Sequence, residues 1–392
     1  MTSEESPRPG GEPTREELID RARRLVPVVR ERAREAEELR RLPSETLQDF
    51  VDAGFVRACV PQRFGGPEHE VDISIELALL LARGCPASGW LASFYPLHNW
   101  MVGWLPDQGQ AEVWADSPDV FIATVPAFVG GEFVPVDGGV RVSANLRFSS
   151  GVDAAEWLFV MGAEYMLIVP RSDFEIVDDW FVTALKGTGS KGIRLDNVFV
   201  PEHRLMSTDS VLHAAHRGTQ WSQSPYYHVI SPVAMVLDHF ILAPLIGMAR
   251  GVLDIFETRA SKRIDPQAGQ QANTRPAAQL RFAEAHAEVG VAEMLLRRNL
   301  EQVREWGASR EQPTGEQRAT IRRNIVYAAK MCTQATNRLV DGADSSAIHI
   351  SADLHRQAAD VRAGASHRIF QPEETFLQFS AVRWGLAPPA RI

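Results

Sequence analysis

Residues 187–204 read Gly187-Thr-Gly-Ser-Lys-Gly-Ile-Arg-Leu-Asp-Asn-Val-Phe-Val-Pro-Glu-His-Arg204. The opening matches GxGxxG literally, but its context is wrong for a dinucleotide fingerprint. That motif sets its glycines between a strand and a helix N-terminus, where free backbone N–H groups meet a pyrophosphate. Here Ile193, Leu195, Val198 and Val200 are strand-type residues, and Pro201 closes the run without any helical spacing. The stretch is therefore a glycine-rich turn with two hydroxyls, Thr188 and Ser190, entering a β-strand, and its context argues against a Rossmann site.

Working outward, the apolar period changes twice. From Arg15 to Arg41, Leu18, Ala22, Leu25 and Val29 recur at helical spacing, which predicts one long amphipathic helix with Pro27 as its only blemish. Ser44 reads as the N-cap of a second helix that Gly54 stops. Residues 73–105 are almost wholly apolar, with breaks expected at Gly84, Pro86 and Pro96. Strand-type runs follow at 121–128, 131–136, 140–148, 156–162, 165–170, 174–181 and 193–200, joined by Gly-Gly and Asp-Gly-Gly turns. Helical spacing resumes at 232–265, 276–307, 315–342 and 353–370. The expected organisation is a disordered leader (1–14), an N-terminal helical domain (15–119), a middle β domain (120–206) and a C-terminal helical bundle (207–392).

Composition excludes several classes. With 392 residues and 45% hydrophobic content there is material for more than one core. A net charge of −9 argues against nucleic acid and anionic membrane as partners. Cys59, Cys85 and Cys332 are far apart and form no CxxC, so neither a disulfide framework nor a thiolate zinc site is indicated, and no HExxH supports a metal. No apolar h-region is present at the N-terminus and no uninterrupted apolar run reaches spanning length, so a cytoplasmic location is expected. The absence of GxSxG argues against a serine hydrolase.

Three clusters carry candidate chemistry. In Phe148-Ser149-Ser150-Gly151, two hydroxyls stand beside a glycine that would let a flat ring approach, although an ordinary turn has the same composition. In Trp90-Leu-Ala-Ser-Phe94-Tyr95-Pro-Leu-His98-Asn-Trp100, helical spacing puts Trp90, Phe94, His98 and Met101 on one face. A lone histidine in such a stripe is ordinarily a satisfied core residue. In Asp353-Leu-His355-Arg356-Gln-Ala-Ala-Asp360-Val-Arg362-Ala-Gly364-Ala-Ser-His367, the positions Arg356, Asp360, Gly364 and His367 share one helix side, with the glycine leaving room for a ligand and His355 well off it. An imidazole suits proton transfer at physiological pH; the bland alternative is a solvated helix with an Arg–Asp pair.

Together these segments resemble the acyl-CoA dehydrogenase superfamily, and within it the group D two-component flavin-dependent monooxygenases of the 4-hydroxyphenylacetate hydroxylase oxygenase type. The 187–204 stretch looks like the superfamily's flavin-edge loop and following strand. Phe148-Ser-Ser-Gly…Trp157 is similar to the Phe/Trp-Ser-Ser-Gly…Trp run of the hydroxylases, departing at Leu146 and at Ala154–Ala155. Cys85-Pro-Ala-Ser-Gly-Trp…Leu-His98-Asn-Trp100 resembles their Cys-Pro-Ser-Thr-Ala-Trp…Val-His-x-Trp, and Asp360 to His367 resembles their Arg-Asp-x-x-Ala-x-x-x-His. The resemblance implies an α+β fold with a helical N-terminal domain, a middle β-barrel or sandwich and a C-terminal four-helix bundle. It implies reduced FMN or FAD from a separate flavin reductase, O2, a C4a-hydroperoxyflavin, an aromatic substrate and a homotetramer.

By the same resemblance, His367 is the leading general base, with His98 facing substrate and flavin. Ser149 or Ser150 holds flavin N5, Gly151, Thr188, Gly189 and Ser190 border the flavin, and Arg263 reaches its phosphate across a subunit contact. Trp90, Phe94, Tyr95 and Trp100 form the substrate pocket. Two other enzymes share the layout: an acyl-CoA dehydrogenase with Glu373 or Glu374 as base, though Gln371-Pro-Glu-Glu-Thr-Phe does not reproduce that family's Tyr-Glu-Gly-Thr, and an N- or S-oxygenase. A cofactor-free scaffold is the non-enzymatic alternative.

Overall fold

The computed structural model describes residues 12–125, 131–162, 164–208, 226, 236–264, 269–349 and 351–386. Most of the expected leader lies outside them, but residues 12–14 are packed. Pro13 is buried, its carbonyl accepts from His69 Nε2 at 2.7 Å, and Glu12 pairs with Arg57 at 3.0 Å. Thr14 caps α1 (Arg15–Glu31) through a reciprocal bond with Glu17.

The first long helix divides at Arg32, not at Pro27, which sits inside α1; α2 (Ala33–Leu39) follows and ends where Arg40 turns left-handed at φ 53°. In α3 (Ser44–Asp52) Pro43 is the cap, because the Ser44 hydroxyl bonds Glu45 instead, while Gly54 stops the helix at φ 78° as expected. α4 (Ile73–Gly84) and α5 (Pro86–Val102) are buried nearly all round, and α5 runs through Pro96 without the expected break. Sixteen of its residues are buried. Burial worth about 1.5–3 kcal/mol per large apolar side chain outweighs a proline cost of about 3 kcal/mol. A short α6 (Asp107–Val113) closes the N-terminal layer.

Among the described residues eight strands form two four-stranded sheets: β1 (Ile122–Val125), β4 (Trp157–Met161), β5 (Tyr165–Pro170) and β8 (Leu205–Ser207) in the order β1-β4-β5-β8, and β2 (Glu132–Val136), β3 (Gly139–Ser149), β7 (Lys191–Pro201) and β6 (Glu175–Val177) in the order β2-β3-β7-β6. Among the described strands β1 and β4 pair in parallel and every other pair is antiparallel. Inward residues of the two sheets, among them Val125, Leu158 and Val169 facing Val142, Leu146 and Ile193, make a core of their own. The β3–β7 register slips between Leu146 and Ser149, and such irregularities bend a strand and re-aim its side chains. Phe148 sits there at φ 67°.

The C-terminal layer holds α7 (Asp238–Lys262), α8 (Pro276–Ser309), α9 (Gly315–Asp341), α10 (Asp353–Ala365) and α11 (Pro372–Arg383). Its hub is α7, which packs against α4, α5, α8, α9 and α10. By length and composition α7 could cross a bilayer, although charged residues such as Arg250 and Asp254 interrupt its apolar run, and 78% of its apolar window is buried inside the protein. Helix α10 stops at Ala365, so His367 lies not on its face but at the cap of the short 3-10 turn Arg368–Phe370. All three cysteines are free and buried.

Candidate active site

Where α5, the β layer and the C-terminal helices meet there is a cavity of about 790 Å³. Trp90, Phe94, His98 and Met101 of α5 all line it, as their spacing predicts. Trp90 meets Phe94 edge-on at 5.4 Å, and Phe94 stacks on His98 at 5.5 Å and 8°. Opposite stand residues 145–148 and Ser150, Trp180, residues 182–185, Thr188 and Ser190, Leu237 and Ile241 at the start of α7, and the turn carrying His367 and Arg368. Among the described residues no aspartate or glutamate lines this cavity. Glu373 and Glu374 sit exposed on α11, so the carboxylate base that an acyl-CoA dehydrogenase needs is not there.

The hydroxyls form one chain. Trp90 Nε1 lies 3.2 Å from Ser150 Oγ, Ser150 Oγ 2.8 Å from Ser190 Oγ, Ser190 Oγ 2.8 Å from Thr188 Oγ1, and Thr188 Oγ1 2.8 Å from the Leu185 carbonyl. Its direction follows from its ends, since an indole N–H only donates, a carbonyl only accepts, and each hydroxyl has one proton. Thr188 donates to Leu185, so Ser190 donates to Thr188 and Ser150 to Ser190. What remains on each hydroxyl is one acceptor lone pair. The two loops are joined by Gly151 N–H donating to the Thr188 carbonyl at 2.8 Å, with Gly151 left-handed at φ 72°.

The two histidines carry opposite tautomers. His98, 5% exposed, has Nδ1 2.6 Å from the Ile122 carbonyl; that nitrogen holds the proton and Nε2 keeps a free lone pair. Burial lowers its pKa to about 4. At His367 the Nδ1 accepts from Ile369 N at 3.4 Å, which places the neutral ring's proton on Nε2. Burial, then Arg368, lowers this ring to about 4 as well. Arg322 donates to the Ile369 carbonyl at 3.3 Å and pairs with Asp238, tying the His367 turn to the start of α7.

His98 links the site to acid stability. Its folded pKa lies below the ordinary 6.5, so below that value the unfolded chain takes up a proton that the fold refuses. Its neutral ring thus costs stability progressively from pH 6.5 down to about 4, by up to about 3 kcal/mol. Equilibrium denaturation across that window is expected to show a shallower pH slope in His98→Phe than in wild type; equal slopes would refute the assignment.

Several expected site residues lie elsewhere. Ser149 is fully buried on the inner face of β3, and its hydroxyl has no partner among the described residues, so Ser150 is the serine at the cavity. Tyr95 is turned away and donates to the Gly151 carbonyl at 3.2 Å; with Gly151 it borders a separate cavity of about 370 Å³. Trp100 packs edge-on against Trp104 at 5.2 Å and does not line the main cavity. Gly189 abuts Asp153 and the Arg40 carbonyl. Gly364 faces Leu245 and Trp90, so packing fills the room expected for a ligand. Arg356 pairs with Glu37 and Asp353 rather than Asp360. Arg263 pairs with Asp344 at the far end of α7, roughly 33 Å from Ile241 at 1.5 Å per residue. It cannot serve the cavity of its own chain.

Sequence reasoning missed Thr124, Arg147, Trp180 and Arg368 at the cavity. The buried Thr124 hydroxyl has no partner among the described residues. Strand alternation alone gave no sign of it, because Thr124 lies on the face of β1 turned away from the sheet-to-sheet core, and which such position meets a cavity depends on the opposing layer.

Helical layers flanking a two-sheet β layer, with one apolar cavity at their junction, define an enzyme of the acyl-CoA dehydrogenase architecture, and the family described as acyl-CoA dehydrogenase, C-terminal domain, matches residues 239–372. The chain is 32% identical to the flavin-dependent monooxygenase oxygenase subunit HsaA of Mycobacterium tuberculosis, covering 93% of this chain and 94% of that protein. It is 28% identical to the oxygenase component of p-hydroxyphenylacetate 3-hydroxylase of Acinetobacter baumannii, covering 89% and 85%. The crystal structure of the M. tuberculosis HsaA monooxygenase superposes with a TM-score of 0.88 at 30% identity, over 96% of this chain and 99% of that one. The chain belongs to the flavin-dependent monooxygenases of this fold, on the oxygenase-subunit branch. The site fits a flavin: the cavity is large and mainly apolar, as cofactor sites are, and a directed row of hydroxyl acceptors stands at its edge for the polar rim of the ring.

Proposed function

We propose that this oxygenase hydroxylates a phenolic or polycyclic aromatic small molecule, accepts reduced FMN or FAD as a diffusible cosubstrate from a separate reductase, and works as a cytoplasmic homotetramer. The observation that carries this reading is the pair of oppositely protonated imidazoles on an apolar cavity beside a hydroxyl chain. Reduced flavin, once bound, supplies with O2 the electrophilic oxygen atom. Every other task falls to the protein. Trp90, Phe94, Met101, Leu237 and Ile241 exclude water. Ser150 offers an acceptor lone pair to flavin N5–H. Thr124 takes a hydrogen bond from, or gives one to, a polar group of the substrate.

His98 Nε2 receives the phenolic proton. A base near pKa 4 is weak against a ground-state phenol, yet a ring under attack by electrophilic oxygen becomes far more acidic, so the proton leaves late. His367 contributes its Nε2–H as a donor to the oxygen being transferred. These tautomers support His98 in the base role that the sequence resemblance gave first to His367. The words "oxygenase subunit" and "oxygenase component" in the relatives' names support a partner reductase. The exposed apolar side chains Leu280 and Met294 of α8, with Leu377 and Trp384 at α11 and just beyond it, support burial between copies of the chain.

The test supplies chemically reduced FMN or FAD, labelled O2 and a panel of phenols and fused-ring phenols. Expected is one labelled oxygen in the product, with less peroxide than flavin consumed. Peroxide equal to flavin, with no labelled product across the panel, would refute the proposal.

A further inference from the structure

We propose that Asp360 is a positioning residue for the hydroxyl chain, acting through Leu185; the inference rests on the flavin reading above. Asp360, 3% exposed on α10, accepts the Leu185 N–H at 2.6 Å across 175 residues of sequence. Leu185 is left-handed, φ 51° and ψ 31°, a conformation that costs a residue with a side chain roughly 1–2 kcal/mol. Something must hold it there. The carbonyl of this same residue ends the hydroxyl chain, accepting from Thr188 Oγ1 at 2.8 Å, and it also takes Thr188 N at 3.1 Å and Trp180 Nε1 at 3.4 Å. A carboxyl that fixes the N–H of Leu185 thereby sets where its C=O points.

The charges around Asp360 favour this role over an ion pair. Arg356 on the same helix is occupied by Glu37 and Asp353. Lys186 from the loop and Glu37 from α2 act on Asp360 with opposite sign, and the buried Cys85 thiol lies near it at the head of α5. Burial, the largest influence, raises the carboxyl to about 7, and an amide, which keeps the shape and the accepting oxygen, is its nearest uncharged counterpart. The same helix leads to Ala363, Ser366 and His367 at the cavity. Asp360 therefore clamps the wall bearing His367 to the wall bearing Thr188 and Ser190.

The test compares Asp360→Ala with Asp360→Asn, whose side-chain oxygen still accepts. Asp360→Leu keeps the branched shape, though not the volume, without an acceptor and takes the alanine variant's place if that does not fold. In flavin-free protein, hydrogen exchange of amides 183–190 is expected to quicken by about tenfold in the non-accepting variant and to stay near wild type in Asp360→Asn. Product formed per reduced flavin should fall by about threefold or more in the former, with kcat affected more than KM, and recover in the latter. Combined with Thr188→Val, Asp360→Ala should cost no more than the worse single change, since both act through the Leu185 carbonyl. Unchanged exchange, unchanged product yield, additive losses, or an asparagine variant as impaired as the alanine one would each overturn the proposal. If wild type itself yields no product from reduced flavin, the flavin reading fails instead.

Discussion

Replacing His98 by Phe is expected to slow hydroxylation of a phenol by about 10²–10⁴-fold, divert reduced flavin to peroxide and leave flavin affinity unchanged. Phenylalanine keeps the stack on Phe94 and removes the two functions of the imidazole. One is the Nδ1–H bond to Ile122, which orients the ring; the other is the Nε2 lone pair at the cavity. Only the second bears on a proton. The aryl methyl ether of the same substrate has no phenolic proton to lose, only the ring proton that leaves after oxygen transfer, so its much slower oxidation should be scarcely changed by the substitution. Equal losses on phenol and ether would show that His98 shapes the pocket and does not take the proton. His367→Leu should differ in kind, because its Nε2–H is a donor. Phenol and ether should lose rate alike, by about tenfold to a hundredfold for one hydrogen bond to developing negative charge.

How far these residues could be read from the chain depended on the range of the interactions that place them. The α5 face was legible because one helix sets the spacing of Trp90, Phe94, His98 and Met101, and their common place at the cavity follows from it. The Gly187 turn was legible because β-branched residues follow it, whatever its glycines suggest. Pro96 misled, since a local cost was outweighed by burial of nearly the whole helix, which no window of sequence reports. The strand Leu205–Ser207 and the helix Pro372–Arg383 were missed: the first is three residues long, and the second has one buried residue and hence almost no apolar stripe. Tyr95 and Trp100 were placed in the pocket by their neighbours in sequence, yet each lies off the cavity face of its helix. Ser149 and Ser150 could not be told apart because the register slip before them decides which one turns outward. The bond between Asp360 and Leu185 spans two layers and leaves no mark on either segment.

Ser150→Ala and Thr188→Val interrupt the hydroxyl chain at different links, and they should fail differently. Loss of Ser150 removes the acceptor offered to flavin N5–H and strands the Trp90 indole N–H together with a lone pair of Ser190. An unmet buried polar group costs about 1–3 kcal/mol, so product per reduced flavin is expected to drop by about tenfold or more while peroxide rises. Thr188→Val does something else. Ser190 no longer has Thr188 to donate to, and its proton is free to turn toward the cavity, converting an acceptor into a donor. Ser190 then offers a donor beside the Ser150 acceptor: oxidised flavin, which presents only a lone pair at N5, gains a partner, whereas reduced flavin still has only Ser150 for its N5–H. The ratio of oxidised to reduced flavin affinity should therefore rise by about tenfold, the equivalent of about 1.4 kcal/mol for one reversed hydrogen bond. Titration of both redox states, aerobically and anaerobically, measures it. A ratio equal to that of wild type would mean that the proton order of the chain plays no part in choosing the redox state of the flavin.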